Sequence, residues 1–244
     1  MITRRQKNSH KFFSFSFKKI CKWGGFIFLL IALLMMMSKL KDVRYFPIKN
    51  VKVYGIQHVN RDTVQQIVTP LIHQGFFSVD VNLIKEKLLE LPWIANIAVT
   101  REWPDRIAIT LFEKTPVAQW NEKSLLSNNG ELFTPEDNAD FKGLPQFIGP
   151  PRQQVRMLEF YNQLNTLLQP LHTKISRLEL NYSDNWLLTL DNGIKLAVGE
   201  KDILTRVDHF VKVYPKIVGD KANQVDSIDL RYTNGLAVKW KNIG

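Results

Sequence analysis

Residues 23–38 read WGGFIFLLIALLMMMS, a stretch without one charged side chain, and that stretch limits the fold of this chain more than any other. A helix buried in a soluble core would show a polar stripe or end, and this run has no polar face at all. Its sixteen residues rise about 24 Å as a helix, slightly short of a hydrocarbon layer of ~30 Å. Lys22 and Lys39 bracket the run and can lengthen it by burying their methylene stems while the ammonium groups reach outward. A cleaved signal peptide would end its apolar region at small residues in an A-x-A pattern. This run ends MMMSKLKD, so the expectation is an uncleaved anchor over residues 23–40.

Charge sets the orientation. The chain has a formal net charge of +10. Arg4, Arg5, Lys7, Lys11, Lys18, Lys19 and Lys22 all lie in residues 1–22, which contain no Asp or Glu. The basic excess is thus a tail beside a membrane segment, and it does not indicate nucleic-acid binding. Beyond the span, Lys39, Lys41 and Arg44 are partly offset by Asp42. The positive-inside rule therefore assigns residues 1–22 to the cytoplasm and the rest of the chain to the exported side. Cys21, the only cysteine, sits at the cytoplasmic edge, either as a small apolar residue or as a lipidation site. The exported body has no cysteine and cannot rely on disulfides.

The body opens with a strand over residues 46–54, where Val51 and Val53 alternate with Lys52 before Gly55. Asn60 can cap a helix carrying Val64, Ile67 and Val68. Asp80 can cap a second, with Leu83, Ile84, Lys87, Leu88 and Leu91 at helical spacing and Pro92 ending it. Two strands follow, with Ile97 and Val99 on one and Ile107, Ile109 and Leu111 on the other, joined by a tight turn at Trp103-Pro104-Asp105. Trp93 and Trp103 read as core residues. The order is strand, helix, helix, strand, strand, and Lys114-Thr115-Pro116 reads as a junction.

The remainder is mostly strands. Residues 117–120 are followed by a hairpin at Asn128-Asn129-Gly130 and a crossing at Gly149-Pro150-Pro151. One helix should carry Val155, Leu158, Tyr161, Leu164 and Leu168 on its buried face, and another Ile203, Val207, Phe210, Tyr214 and Ile217. Between them, residues 174–180, 186–190 and 194–198 read as consecutive antiparallel strands. Asp191-Asn192-Gly193 marks a hairpin with positive φ expected at both central positions. The chain closes on a hairpin of residues 225–232 and 236–240 around Asn234-Gly235. On its last strand Leu236, Val238 and Trp240 share one face, Ala237 and Lys239 the other. Such a strand is either an edge defended by Lys239 and Lys241 or a docking site for a strand of another protein.

Catalytic signatures are missing. His10, His58, His73, His172 and His209 are scattered, with no partner at metal-ligand spacing. No phosphate loop, dinucleotide fingerprint or nucleophile elbow occurs. Asp226 and Asp229 flank apolar strand positions and read as facing solvent or a partner. The expectation is a protein that is not an enzyme and needs no cofactor.

Several short motifs nevertheless stand in a definite order behind the anchor. Leu91-Pro92-Trp93, Trp103-Pro104, Glu113 and Pro116-Val117-Ala118 with Trp120 come first. Leu190, Leu196, Gly199, Arg206, Phe210 and Tyr214 follow. Asp229-Leu230-Arg231-Tyr232, Gly235 and Trp240 close the series. In this order the chain resembles the FtsQ/DivIB family of bacterial cell-division proteins over nearly everything after the tail. The resemblance implies an α+β chain: an N-terminal transmembrane helix, a POTRA domain (β-α-α-β-β) over residues 46–115, and a mainly antiparallel β-domain with flanking helices over residues 116–244. It implies a non-enzymatic scaffold of the inner membrane at the division septum, with the C-terminus periplasmic, whose partners are the small membrane proteins FtsB and FtsL. The family's FtsB site carries over to Arg231, Tyr232, Asn234, Gly235 and Trp240, with Leu236 and Val238 on the same strand. One departure is the loop before the central hairpin, where the family can carry a partner-binding basic residue and this chain has Ser183-Asp184-Asn185. The competing expectation is a POTRA-bearing protein that handles unfolded polypeptides in secretion or outer-membrane assembly. Such proteins usually carry several POTRA repeats or a barrel, and neither is visible here.

Overall fold

A computed structural model of the 244-residue chain describes residues 17–40, 46–135, 141, 143–232 and 235–241. Helix α1 (Phe17–Leu40) takes up the uncharged run. Its described side chains between residues 26 and 36 are all exposed. Among the described residues no helix is long and apolar enough to cross a membrane. Most of the tail expected in the cytoplasm, residues 1–16, lies outside the described residues.

The chain gathers into two compact units. The first comprises the described residues up to Tyr54 together with Arg61–Glu86 and Ala98–Thr110. Here β1 (Asn50–Tyr54) runs parallel to β3 (Arg106–Glu113), pairing Asn50 with Arg106 and Tyr54 with Thr110. With β2 (Ile94–Glu102) the sheet order is β1-β3-β2. A parallel pair needs a crossover, and α2 (Arg61–Val68), a 3-10 turn (Thr69–Gln74) and α3 (Val81–Leu89) lie between the strands in the chain. Asp80 caps α3 as expected, its Oδ1 accepting the N–H groups of Asn82 (2.9 Å) and Leu83 (3.2 Å). Val64, Val68, Phe76, Val79, Ile84, Ile107 and Ile109 are buried. Trp103 is not: at the tip of the β2–β3 turn, after which a cis peptide leads to Pro104, it stands 74% exposed. The expectation of a core tryptophan fails because, among the described residues, the tip of this two-strand turn is left uncovered.

The second unit comprises Gly55–Asn60, Lys87–Ile97 and Leu111–Gly244. Glu113 organises its start. The carboxylate accepts the N–H groups of Gln57 (2.8 Å), His58 (3.0 Å) and Val59 (3.2 Å), and the His58 ring Nδ1 lies 2.9 Å away. Burial pushes the Glu113 pKa up, but these hydrogen bonds outweigh it and hold the carboxyl below its usual range. Trp93, half-buried, stacks on the His58 ring at 4.2 Å.

A nine-stranded sheet follows in the order β12-β11-β10-β9-β8-β7-β4-β5-β6. Its strands are β4 (Pro116–Trp120), β5 (Ser124–Ser127), β6 (Leu132–Phe133), β7 (Gln146–Ile148) and β8 (Ile175–Leu180). They continue as β9 (Trp186–Leu190), β10 (Lys195–Gly199), β11 (Val225–Asp229) and β12 (Ala237–Trp240). Five pairings are antiparallel. Three, β4–β7, β7–β8 and β10–β11, are parallel, so the sheet is more mixed than the hairpin signals suggest. Helices α4 (Gln154–Leu168) and α5 (Ile203–Ile217) pack on each other, α4 also on β8 and α5 on β10. Trp186, Phe147, Phe210, Leu164 and Leu188 are fully buried within this core.

Two helix faces differ from expectation by geometry. In α4 the buried stripe is Met157, Leu164 and Leu168, and Val155 is exposed. Val155 precedes Leu164 by nine residues, which at roughly 100° per residue is half a turn off the stripe. In α5 the stripe is Ile203, Val207 and Phe210, and Val218 just past the helix is buried while Ile217 is exposed. The hairpins at Gly130 and Gly193 share one construction. Only the glycine has positive φ, 83° and 87°, and its N–H donates to the carbonyl three residues back. That is a three-residue loop closed by a left-handed glycine, in place of the two-residue turn with positive φ at both positions.

Candidate partner-docking edge

Strand β12 lies at one end of the sheet and, among the described residues, pairs only with β11, as Ser227 with Lys239, Ile228 with Val238 and Asp229 with Ala237. Lys241 N–H donates to Gln224 O at 2.7 Å, so the backbone of Lys241 faces β11. Backbone groups alternate sides along an antiparallel strand. Lys239 and Ala237 therefore also face β11, while the N–H and C=O groups of Val238 and Trp240 point away from the sheet. Among the described residues these two positions therefore have no ladder partner.

The side chains divide as the alternation requires. Leu236 and Val238 are half-buried and pack against the core. Trp240 shares their face but stays 42% exposed, and Tyr232 is 59% exposed. Gly235 is exposed with open space around it. Asn234, expected at this site, lies outside the described residues.

Arg231 and Lys239 are both engaged within the chain. Arg231 grips Asp229 with two prongs, Nε to Oδ1 at 2.9 Å and Nη2 to Oδ2 at 2.6 Å. That grip chiefly holds the Asp229 carboxyl below its usual range. Lys239 Nζ lies 2.9 Å from Asp226, whose carboxyl is depressed mainly by that contact.

The Ser183-Asp184-Asn185 loop lacks the basic residue the family can carry, and Asn185 lines a groove of about 570 Å³ together with Tyr182, Trp186, Gly199 and Arg231. The loop is held by its own short-range bonds: Asn181 Oδ1 accepts the N–H groups of Ser183 and Asn185, and Arg156 reaches Asp184 at 2.8 Å. The short-range Asn-x-Ser-x-Asn pattern was the available signal. Among the described residues no group of three or more His, Cys, Asp or Glu side chains is placed to hold a metal ion.

Residues 46–114 match the family model described as POTRA domain, FtsQ-type, and residues 118–231 match that of the cell division protein FtsQ/DivIB C-terminal region. The cell division protein FtsQ of Coxiella burnetii is 32% identical over 228 residues, covering 93% of this chain and 94% of that protein. The chain belongs to the FtsQ/DivIB family of cell-division proteins. The FtsQ proteins of Methylomonas methanica (32% identical, 80% of this chain, 79% of that one) and Shewanella oneidensis (34%, 82% and 77%) agree. The matched C-terminal model stops at residue 231, so β12 follows it in the chain.

Proposed function

We propose that this chain is a non-enzymatic scaffold of the bacterial division machinery that docks a strand of FtsB, in its complex with FtsL, on the β12 edge. The observation that carries this is the unpaired outer side of β12, where Val238 and Trp240 offer ladder groups and Tyr232 and Trp240 offer exposed aromatic surface. Backbone hydrogen bonds then supply affinity and the two rings supply anchors. For its grip on a partner carboxylate, Arg231 must first release Asp229, which makes it an exchange of one ion pair for another.

In this reading α1 is a signal anchor, with residues 1–22 cytoplasmic and residues 46–244 periplasmic, concentrated at the septum. The short uncharged core is completed by the lysines at its two ends. The POTRA domain occupies residues 46–115 and the β-domain residues 116–244.

A pull-down from membranes with the full chain separates the readings. Short anchored division proteins among the captured partners support the scaffold. Nascent outer-membrane proteins would instead favour a polypeptide-handling POTRA protein. A reporter active only outside the cytoplasm, fused after Gly244, should be active, and the mature chain should retain its N-terminus. A shortened, soluble periplasmic form would reject the anchor.

A further inference from the structure

Trp103 asks for an explanation, because tryptophan is highly buried on average and this one is 74% exposed. Its turn is tied to the start of the exported body. Asp105 O accepts the N–H groups of Lys49 (2.9 Å) and Asn50 (3.4 Å), and Lys49 Nζ lies 3.6 Å from the Asp105 carboxylate. A second exposed aromatic is tied to the same stretch. Phe46 O accepts the Phe76 N–H at 2.9 Å, and the Phe46 ring meets Phe77, itself 46% exposed, edge-on at 5.1 Å. The two loops are also joined directly. Arg101, two residues before Trp103, donates Nη2 to the carbonyl of Val79, two residues after Phe77, at 2.7 Å.

Trp103 and Phe77 thus sit at the end of the first unit where the chain arrives from α1. Helix α1 ends at Leu40 and Phe46 follows six residues later. Fully extended, that stretch spans at most about 20 Å. With α1 in the membrane, the residues around Phe46 are held close to the bilayer surface by chain length alone. An indole is amphipathic and settles at the headgroup level, which is why tryptophan marks membrane–water interfaces.

We propose that Trp103, with Phe77 beside it, rests in the periplasmic headgroup layer of the membrane that α1 crosses, giving the body a second lipid contact. The inference builds on the anchor reading above, and the occupant it names is lipid.

The test uses the full chain in phosphatidylethanolamine–phosphatidylglycerol vesicles whose acyl chains are brominated near the headgroup, which quenches nearby tryptophan. A Trp23→Phe background removes the tryptophan of α1. Trp120 and Trp186 are buried and Trp93 is half-buried against the His58 ring, so the exposed indoles that remain are Trp103 and Trp240. The Trp23→Phe protein should still be quenched, and adding Trp103→Ala should remove most of that quenching with the melting curve unchanged, whereas adding Trp240→Ala should not. Quenching that is absent from the Trp23→Phe protein, or that survives Trp103→Ala, overturns the proposal; absence would mean that the exposed ring faces a protein. Alkaline extraction of the same vesicles reads the anchor separately. A chain that stays in the membrane without Trp103 quenching sinks the lipid contact alone, and a chain that is released sinks the anchor.

Discussion

The two ends of the nine-stranded sheet are treated in opposite ways. At one end β6 is two residues long, and its core-facing Phe133 is buried. Trp93 meets the Phe133 ring edge-on at 5.1 Å, and Lys114 Nζ lies 5.3 Å over it while reaching Glu131 at 3.6 Å. Pro135 comes two residues after the strand ends, and proline cannot donate to a ladder. At the other end β12 runs four residues, its Trp240 half out of the core, with two outward-pointing ladder residues. Edge strands are a hazard that proteins blunt by shortening, covering or charging them. This sheet uses the first two devices on β6 and leaves β12 with little more than Lys239. This contrast between an open edge and a closed one is what the proposed docking on β12 rests on.

The strongest way to break that comparison is to remove the anchors. Trp240→Ala and Tyr232→Ala should each weaken FtsB binding by ~30-fold to 1000-fold, the range of ~2–4 kcal/mol typical of aromatic hot spots. Their melting temperatures should stay near that of the parent, because both rings are largely exposed. Leu132→Ala on β6 should leave binding unchanged. Folded Trp240 and Tyr232 variants that bind FtsB as tightly as the parent would move the interface off β12.

A finer cut uses the alternation of backbone groups. Val238→Pro deletes an N–H that points outward, so binding should fall about tenfold, the value of one hydrogen bond of ~1.4 kcal/mol, with the fold kept. Lys239→Pro deletes an N–H that faces β11 and should instead cost ~1–3 kcal/mol of stability. Affinity titrations and denaturant melts on the pair decide it. If Val238→Pro destabilises the fold while Lys239→Pro spares it, the outward residues have been assigned to the wrong parity.

Much of this architecture could be read in advance wherever short-range chemistry sets it. The Asp80 cap, the glycine turns at Gly130 and Gly193 and the alternation of Leu236, Val238 and Trp240 each depend on residues a few positions apart. Long-range pairing was less accessible. Strand β7 is three residues, too short to show alternation, yet it bridges β4 and β8 in parallel. Trp103 was misassigned because residue type says nothing about whether a turn is covered. The Arg231–Asp229 pair was not read in advance, although Asp229 stands two residues away on the same side of an extended chain.

The smallest effect expected at the open edge comes from its two internal ion pairs. Both carboxyls are depressed in the folded chain, Asp226 mainly by its hydrogen bond to Lys239 and Asp229 mainly by its hydrogen bond to Arg231. A depressed carboxyl adds stability above its unfolded pKa of ~4, and that contribution drains away as pH falls through the lower folded value. At neutral pH the pairs are therefore intact, and in acid Lys239 and Arg231 are released. Pairs this exposed are weak and screened by salt, so Asp226→Asn should barely move the melting temperature at neutral pH. Asp229→Asn should lower it somewhat more, since that side chain is the more covered of the two. Below about pH 4 the parent should lose melting temperature more steeply than the double variant, and the two curves should converge. Parallel curves across that range would show that the ion pairs do not hold β12 in place, leaving its ladder to β11 and the packing of Leu236 and Val238 to do so.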